Sequence, residues 1–460
     1  MNRLNGEQRN KLSQAILSAY PTFAKLKMMV SYELDRNLDS IAGGSNLEEV
    51  VFNLIDRAKT EEWLEDFIHA ARNANPGNSD LKAIAEELLS NTPEDSLIQS
   101  SITYQDFQIL VDKNNNIRAS SEQGEVSGIL NLDINKINLT LKLIESKQTN
   151  RELLKGLGHE LYQALFPNQI NALFHATMVS AQANQESVRL RLIFESPQFA
   201  SLPWEFLYYE PTNTFLGNNT ETVLSRYIDV PLQKRDIKTA SLPLKVLLVI
   251  SSPDNLAALD ANGEENLIRE ALKKYIEAGQ IELDVLKEAT NRNSRQMLRE
   301  KPYNVFHFIG HGDFKDDKGY IYLVDEYNKP KPLDDETFAN FFLGVRAAFP
   351  KENRNLGLII LNSCRGAMVS PNQAFAGTVS NLVRRGIPAV VAMQYTIFDS
   401  TAKLFADEFY RTLALGYPVD AAIQETRNAI SMDVGLDKRD FATPVLYMRA
   451  KDGIIFDSLK

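Results

Sequence analysis

One cysteine in 460 residues leaves no intramolecular disulfide to staple the chain, so a buried core has to hold it. Histidine is scarce too, at five. Zinc takes three or four His, Cys or carboxylate ligands at suitable spacing, and one cysteine with dispersed histidines does not supply them. No stretch offers about 18 uncharged apolar residues, which excludes a membrane-spanning helix. The first residues, MNRLNGEQRNKLSQAI, lack the apolar centre of a secretory signal, and the expected location is the cytoplasm. Positive charge is also short: 50 Lys+Arg against 60 Asp+Glu give −10, which argues against nucleic acid and membrane surfaces as partners. A glycine-rich loop followed by Lys-Ser or Lys-Thr is missing, so no nucleotide is implied, and no cofactor is expected.

What is present divides the chain by pattern. Residues 8 to 90 read as helices, because Leu12, Ile16, Tyr20 and Phe23, then Val50, Leu54 and Ile55, then Trp63, Leu64, Phe67 and Ile68 recur at three-to-four spacing. The polar segment SNTPEDS reads as a linker and places a boundary near residue 95. Strand signals follow in FQILVD from Phe107, NLTLKLI from Asn138 and SVRLRLIF from Ser187, with a helix from about Asn150 to Leu165. The polar stretch KRDIKTASLP closes this segment. From Lys245 strands and helices alternate: KVLLVI, IELDVL, YNVFHFI, LGLIIL, IPAVVAM and PVLYMR are short apolar runs, with helices at 263–279, 335–348, 374–385 and 399–415. A parallel sheet covered on both faces is the natural reading. Three regions result, 1–95, 96–243 and 244–460.

Two of these strands end in unusual residues. YNVFHFI runs into Gly310-His311-Gly312, and LGLIIL runs into Asn362-Ser363-Cys364-Arg365-Gly366. In an open parallel sheet, chemistry collects beyond the carboxyl ends of strands, so both sets belong to one rim. The separation of 53 positions between His311 and Cys364 suffices for one crossover, which makes adjacent strands possible. A thiol near its ordinary pKa is mostly protonated at neutral pH, and a neighbouring imidazole takes the proton during attack. Gly312 has no side chain, so its N–H, with that of Cys364, is suited to an oxyanion hole. Taken alone, Cys364 is as well read as core filler; the pairing with a strand-end histidine is what raises chemistry above packing. His307, inside the strand, reads as a structural histidine with a hydrogen-bond partner, while His69, His159 and His175 lie on separate helical segments and suggest no site.

NSCRG, with GHG upstream, resembles the caspase clan of cysteine proteases. Within it, the chain resembles the bacterial CHAT domain: LPWEFLYYEP, FLG and LSRYIDVP precede VFHFIGHG, LIILNSCRGA, LVRRGIPAVVAMQY and FATPVLYMR in the family's order, over about 100 to 450. The resemblance implies an α/β caspase-hemoglobinase fold, with an inert pseudo-caspase half at 96–243 packed on an active half at 244–460. It makes Cys364 the nucleophile, His311 the base, and Gly312 and Cys364 the oxyanion donors, with Trp204 and Glu205 as scaffold. Residues 1–95 resemble the first type of effector-associated domain, an all-α death-like bundle that pairs with like domains on partners. The implied activity is cleavage of a protein target in bacterial defence or programmed cell death.

Clan members choose the residue before the scissile bond with a group near the nucleophile. Where metacaspases carry an Asp that selects Arg or Lys, this chain has Asn362. Asn362, Ser363 and Asp313 are the expected substrate contacts; the loop GDFKDDKG adds Asp316 and Asp317, acids equally at home in solvent. Acidic loops also leave calcium dependence open. The alternative reading keeps the fold and drops the chemistry, making the chain a silent caspase-like scaffold that binds proteins.

Overall fold

The structure is a computed structural model, and it describes residues 6–34, 36–61, 63–75, 78–89, 103–146, 148–228, 242–256, 260–315, 318–348, 356–363, 371–395, 399–450 and 453–455. Both linkers expected from the sequence, near 95 and at 234–243, fall largely outside these residues. The chain divides into two units, Met1–Ile102 and Thr103–Lys460.

The first unit is helical: α1 (Gly6–Ala19), α2 (Phe23–Leu34), a single turn α3 (Leu38–Ile41), α4 (Leu47–Thr60), α5 (Leu64–Ala74) and α6 (Ser79–Leu89). Its core comprises the three-to-four-spaced residues read from the sequence, with Leu12, Ile16, Leu54, Phe67 and Ile68 wholly buried, while Phe23 faces outward. Each such side chain withdrawn from water contributes roughly 1.5–3 kcal/mol. The start of α4 is fixed locally. Asn46 accepts the Glu49 N–H at 2.8 Å, and the Glu49 carboxylate accepts the Ser45 N–H at 2.7 Å, satisfying donors that a helix end otherwise leaves open.

The second unit is built on one mixed sheet of 13 strands among the described residues. Its first part contributes β1 (Tyr104–Val111), β2 (Asn116–Ser121), β3 (Gly124–Ile129), α7 (Ile134–Glu145), α8 (Arg151–Leu165), α9 (Gln169–Ala183), β4 (Ser187–Phe194), the single turn α10 (Pro197–Ala200), the small ladder β5 (Tyr208–Tyr209) with β6 (Thr214–Phe215), and β7 (Thr222–Tyr227). The second part contributes β8 (Leu244–Ile250), α11 (Ala261–Glu277), β9 (Ile281–Leu286), α12 (Asn291–Glu300), β10 (Val305–Lys315), β11 (Lys318–Val324), β12 (Pro330–Asp334), α13 (Asp335–Ala348), β13 (Leu358–Ser363), α14 (Pro371–Arg384), β14 (Ala389–Met393), α15 (Asp399–Ala414), α16 (Val419–Val434) and β15 (Pro444–Met448). Strand order is β12-β11-β10-β13-β14-β15-β7-β4-β1-β2-β3, with β8 on the other side of β10 and β9 outside β8.

Two expectations change. NLTLKLI is not a strand but part of α7: Asp133 caps the helix by accepting the N–H groups of Asn135 and Lys136, and Ile137 and Ile144, seven residues apart, are the buried pair. The alternating Leu139 and Leu143 that suggested a strand are exposed. The sheet is not parallel throughout: it is parallel through β9, β8, the first half of β10, β13 and β14, and again through β15, β7, β4 and β1, but antiparallel between β14 and β15 and at the β10–β11–β12 and β1–β2–β3 margins. Strand β15 runs against β14 because two helices, α15 and α16, lie between them, and the β10–β11 connection is too short for a crossover.

Side-chain alternation explains the apolar runs. Leu248, Ile309, Ile360 and Val391 belong to one core, with Leu272 of α11 and Phe409 of α15, while Leu247, Phe308, Leu361 and Val390 belong to the other, with Phe338 and Phe342 of α13 and Leu382 of α14. Strands covered on both faces cannot alternate with polar residues, so they read as continuous apolar stretches.

Candidate active site

The parallel strands β8, β10, β13 and β14 deliver their carboxyl ends to a shared rim. Along β10 and β13 the register pairs Ile309 with Asn362 and Gly310 with Ser363. The residue before His311 thus lies opposite the residue before Cys364. Cys364 itself, with 365–370, lies outside the described residues, as do Asp316 and Asp317.

His311 is not beyond its strand but inside it. Strand β10 exchanges partners at this point: Val305–Ile309 pair with β8, and His311–Lys315 continue against β11, with His311 opposite Tyr322 and Gly312 opposite Ile321. His311 is 4% exposed and Gly312 is buried. Gly310 has a packing reason rather than a substrate-facing one, because a Cβ there would collide with the ring of Phe308. Ser251, at the end of β8, anchors the crossing: its N–H donates to Ile309 O and its hydroxyl to Tyr322 O, both at 2.8 Å. Neither Tyr322 nor Ser251 stood out in the sequence, although the Tyr320/Tyr322 alternation marks an amphipathic strand.

Asp313 is half-buried and accepts the Tyr322 hydroxyl at 3.3 Å, with the Lys315 ammonium 3.9 Å away. Asn362 is 2% exposed, and its Oδ1 has no hydrogen-bond partner among the described residues. A buried amide oxygen left unpaired costs on the order of 1–3 kcal/mol, which a ligand N–H would recover. His307 has the partner expected of it, the Tyr410 hydroxyl at 3.1 Å, and burial pushes its imidazole down to about 3, so it stays neutral. The helical histidines are not as separate as their spacing suggests: His159 contacts Glu210 at 3.1 Å and His175 contacts the hydroxyl of Tyr209 at 3.0 Å. Among the described residues no cluster of three His, Cys, Asp or Glu side chains is arranged to hold a metal ion.

A second buried assembly joins the two parts of the sheet. Glu205, fully buried, accepts from Arg226 Nε at 3.1 Å and Nη2 at 2.6 Å, and from Gln394 Nε2 at 3.0 Å, with Arg427 Nη2 at 3.9 Å. Gln394, directly after β14, also donates to Ala442 O, and Arg427 donates to Pro444 O and Leu224 O. Burial lowers both guanidiniums. For Arg226 the Glu205 contact more than offsets this and the net shift is upward, whereas Arg427, also facing Arg226, falls to about 10. The residues of LPWEF, LSRY, AMQY and FATPV therefore meet around one carboxylate.

The CHAT domain family matches residues 155–443, more than half of the chain. The chain belongs to the CHAT-domain family. Its second unit has that family's caspase-like α/β fold, and residues 2–89 match Effector-associated domain 1. It is accordingly a caspase-like, protease-type protein with an effector-associated domain ahead of the CHAT domain. Two crystal structures of the Saccharomyces cerevisiae separase–securin complex align at TM-score 0.41, with 11% and 12% identity over 96% of this chain. The chain spans 37% of the separase chain's length. Among curated proteins none matches. No helix among the described residues is long and apolar enough to cross a membrane.

Proposed function

We propose that this CHAT protein is a cysteine endopeptidase in which Cys364 attacks the scissile carbonyl and His311 accepts its proton. The tetrahedral oxyanion is held by the N–H groups of Gly312 and Cys364; its collapse passes the proton from His311 to the leaving amine and leaves a thioester, which water then hydrolyses. The observation that carries this reading is the Gly310–Ser363 register, since it makes the strand bearing His311 and the strand leading into Cys364 immediate neighbours. Asn362, Ser363 and Asp313 are the substrate contacts, and the Asn362 oxygen, which has no partner among the described residues, favours a residue that offers an N–H donor at that point.

Residues 1–95 serve as the adaptor, pairing with an effector-associated domain on a partner or a second copy; 96–243 form the inert half and 244–460 the active half. The setting is a cytoplasmic defence or cell-death response that ends in cleavage of a protein target. One observation favours the silent-scaffold alternative: at 4% exposure His311 has little room for a substrate.

Intact-mass labelling with a panel of peptidyl acyloxymethyl ketones separates the two, because Cys364 is the single thiol. Fast, sequence-selective adduct formation that disappears in His311→Ala supports the protease. Slow labelling, indifferent to peptide and to His311→Ala even with the activating partner added, establishes the scaffold.

A further inference from the structure

Helix α12 carries Arg292, Arg295 and Arg299, spaced three and four residues apart and hence on one face. All three are exposed, and none has an ion pair or hydrogen bond with another described residue. A neighbouring face holds the helix in place, with Ser294 and Leu298 buried. Basic residues nearby are treated differently: Arg269 and Lys287 share Glu265, and Lys301 contacts both Glu282 and Asp284. Glu300, the acid on α12, accepts from Gln296 rather than from an arginine. With Asn291, Gln296 and Glu300, the three guanidiniums line a shallow depression of about 560 Å³.

Like charges at helical-neighbour spacing destabilise a helix, and a chain of net charge −10 has acids enough to pair them. The row also has a telling position. Helix α12 follows β9, whose carboxyl end lies on the same side as those of β8 and β10. Its cap, Thr290, bridges to Val324 of β11, the strand whose Tyr322 opposes His311. The arginines therefore begin beside the candidate site and run away from it for about 10 Å, at about 1.5 Å of rise per residue.

We propose that this row docks an acidic segment of the protein substrate, next to the stretch that is cut; the inference rests on the protease reading. Carboxylates on alternate residues of an extended chain are about 6.6 Å apart, close to the spacing of the arginines, and a guanidinium takes a carboxylate as a paired fork. A nucleic-acid backbone fits less well, because a short row on an acidic protein gives little phosphate neutralisation.

The test uses full-length Cys364→Ala protein, so that binding is read without turnover. A fluorescein-labelled peptide of alternating Glu and Ser, its Gln twin and a single-stranded DNA of similar length are followed by anisotropy. The Glu peptide is expected to bind in preference to both, less tightly as salt rises, and about tenfold more weakly to R292A/R295A/R299A, as three exposed ion pairs allow. The R292E/R295E/R299E protein, with circular dichroism unchanged, is expected to switch to a Lys/Ser peptide. Equal binding of the Glu and Gln peptides, no loss in the triple variants, or DNA as the preferred ligand would overturn the docking site. If wild-type Cys364 fails to label while the Glu peptide still depends on the arginines, the row stands as an acidic-protein dock and the protease reading alone falls.

Discussion

Replacing Glu205 by glutamine keeps its volume and removes the one negative charge that two buried guanidiniums share. In the wild type its carboxylate accepts two bonds from Arg226 and one from Gln394, and Arg427 stands 3.9 Å away. Carbonyl oxygens of Ala200, Pro444 and Leu224 would still receive N–H groups of Arg226 and Arg427, so hydrogen bonding is only partly lost. The uncompensated charge is the larger cost. Breaking one buried ion pair is worth about 3–5 kcal/mol, and with two cations stranded the upper end applies, a large share of an ordinary stability of about 5–15 kcal/mol. Gln394→Leu removes the neutral partner instead, leaving Glu205 and Ala442 O each one donor short, at about 1–3 kcal/mol. Urea unfolding can be followed by Trp204, fully buried and stacked on Phe194 at 4.8 Å, in a Trp63→Phe background that silences the other tryptophan. Far-UV circular dichroism on the same samples checks that the transition is not local to Trp204. A Glu205→Gln loss no greater than that of Gln394→Leu would refute the electrostatic account.

Two further outcomes follow from packing and burial. His307 titrates near 3 in the folded protein against 6.5 when free, so between those values the unfolded chain binds the proton more readily and stability falls as pH falls, by up to about 1.4 kcal/mol per pH unit. His307→Leu should flatten the urea-derived stability profile by that slope between pH 3 and 6.5, whatever its effect at neutral pH; parallel profiles would show that the imidazole is not held neutral. On α8 two glycines two residues apart should behave oppositely. Gly156→Ala meets nothing within 4 Å and should stabilise by up to about 1 kcal/mol, whereas Gly158→Ala drives a methyl into the Phe206 carbonyl and should cost about 2–3 kcal/mol. Thermal melts of the two variants on either side of wild type would bear this out, and shifts of the same sign would not.

The strands at the centre of the sheet were the most legible part of the fold. SVRLRLIF, with its alternating arginines, coincides with β4 from end to end, and LIIL and AVVAM lie within β13 and β14, because burial on both faces leaves a run that only a core strand tolerates. Legibility failed where two periodicities coexist. In α7 leucines alternate as in a strand while Ile137 and Ile144 keep helical spacing, and the choice is made by the Asp133 cap, a local hydrogen-bond pattern that hydrophobicity does not report. It failed again at β10. The apolar run stops at Ile309, so His311 was expected beyond the strand; the backbone in fact continues by changing partner from β8 to β11, an event determined by residues far away in sequence.

The site and its scaffold differ in how they can be read. His311 and Cys364 were visible because rare residue types follow apolar strands, a signal carried by a few adjacent letters. Glu205, Arg226, Gln394 and Arg427 lie far apart in the chain, and their meeting is invisible to local pattern. A charge inside an apolar stretch, as in PWEFL and VLSRYI, was still a usable clue, since a buried charge demands a partner. That requirement also connects scaffold to chemistry. Gln394 closes β14, and β14 is the neighbour on which β13 rests through four paired positions just before Asn362. A shift of Gln394 away from Glu205 would be felt first at the end of β13, where the chain enters Cys364. The charged cluster is thus tied through β14 to β13, the strand that leads into Cys364.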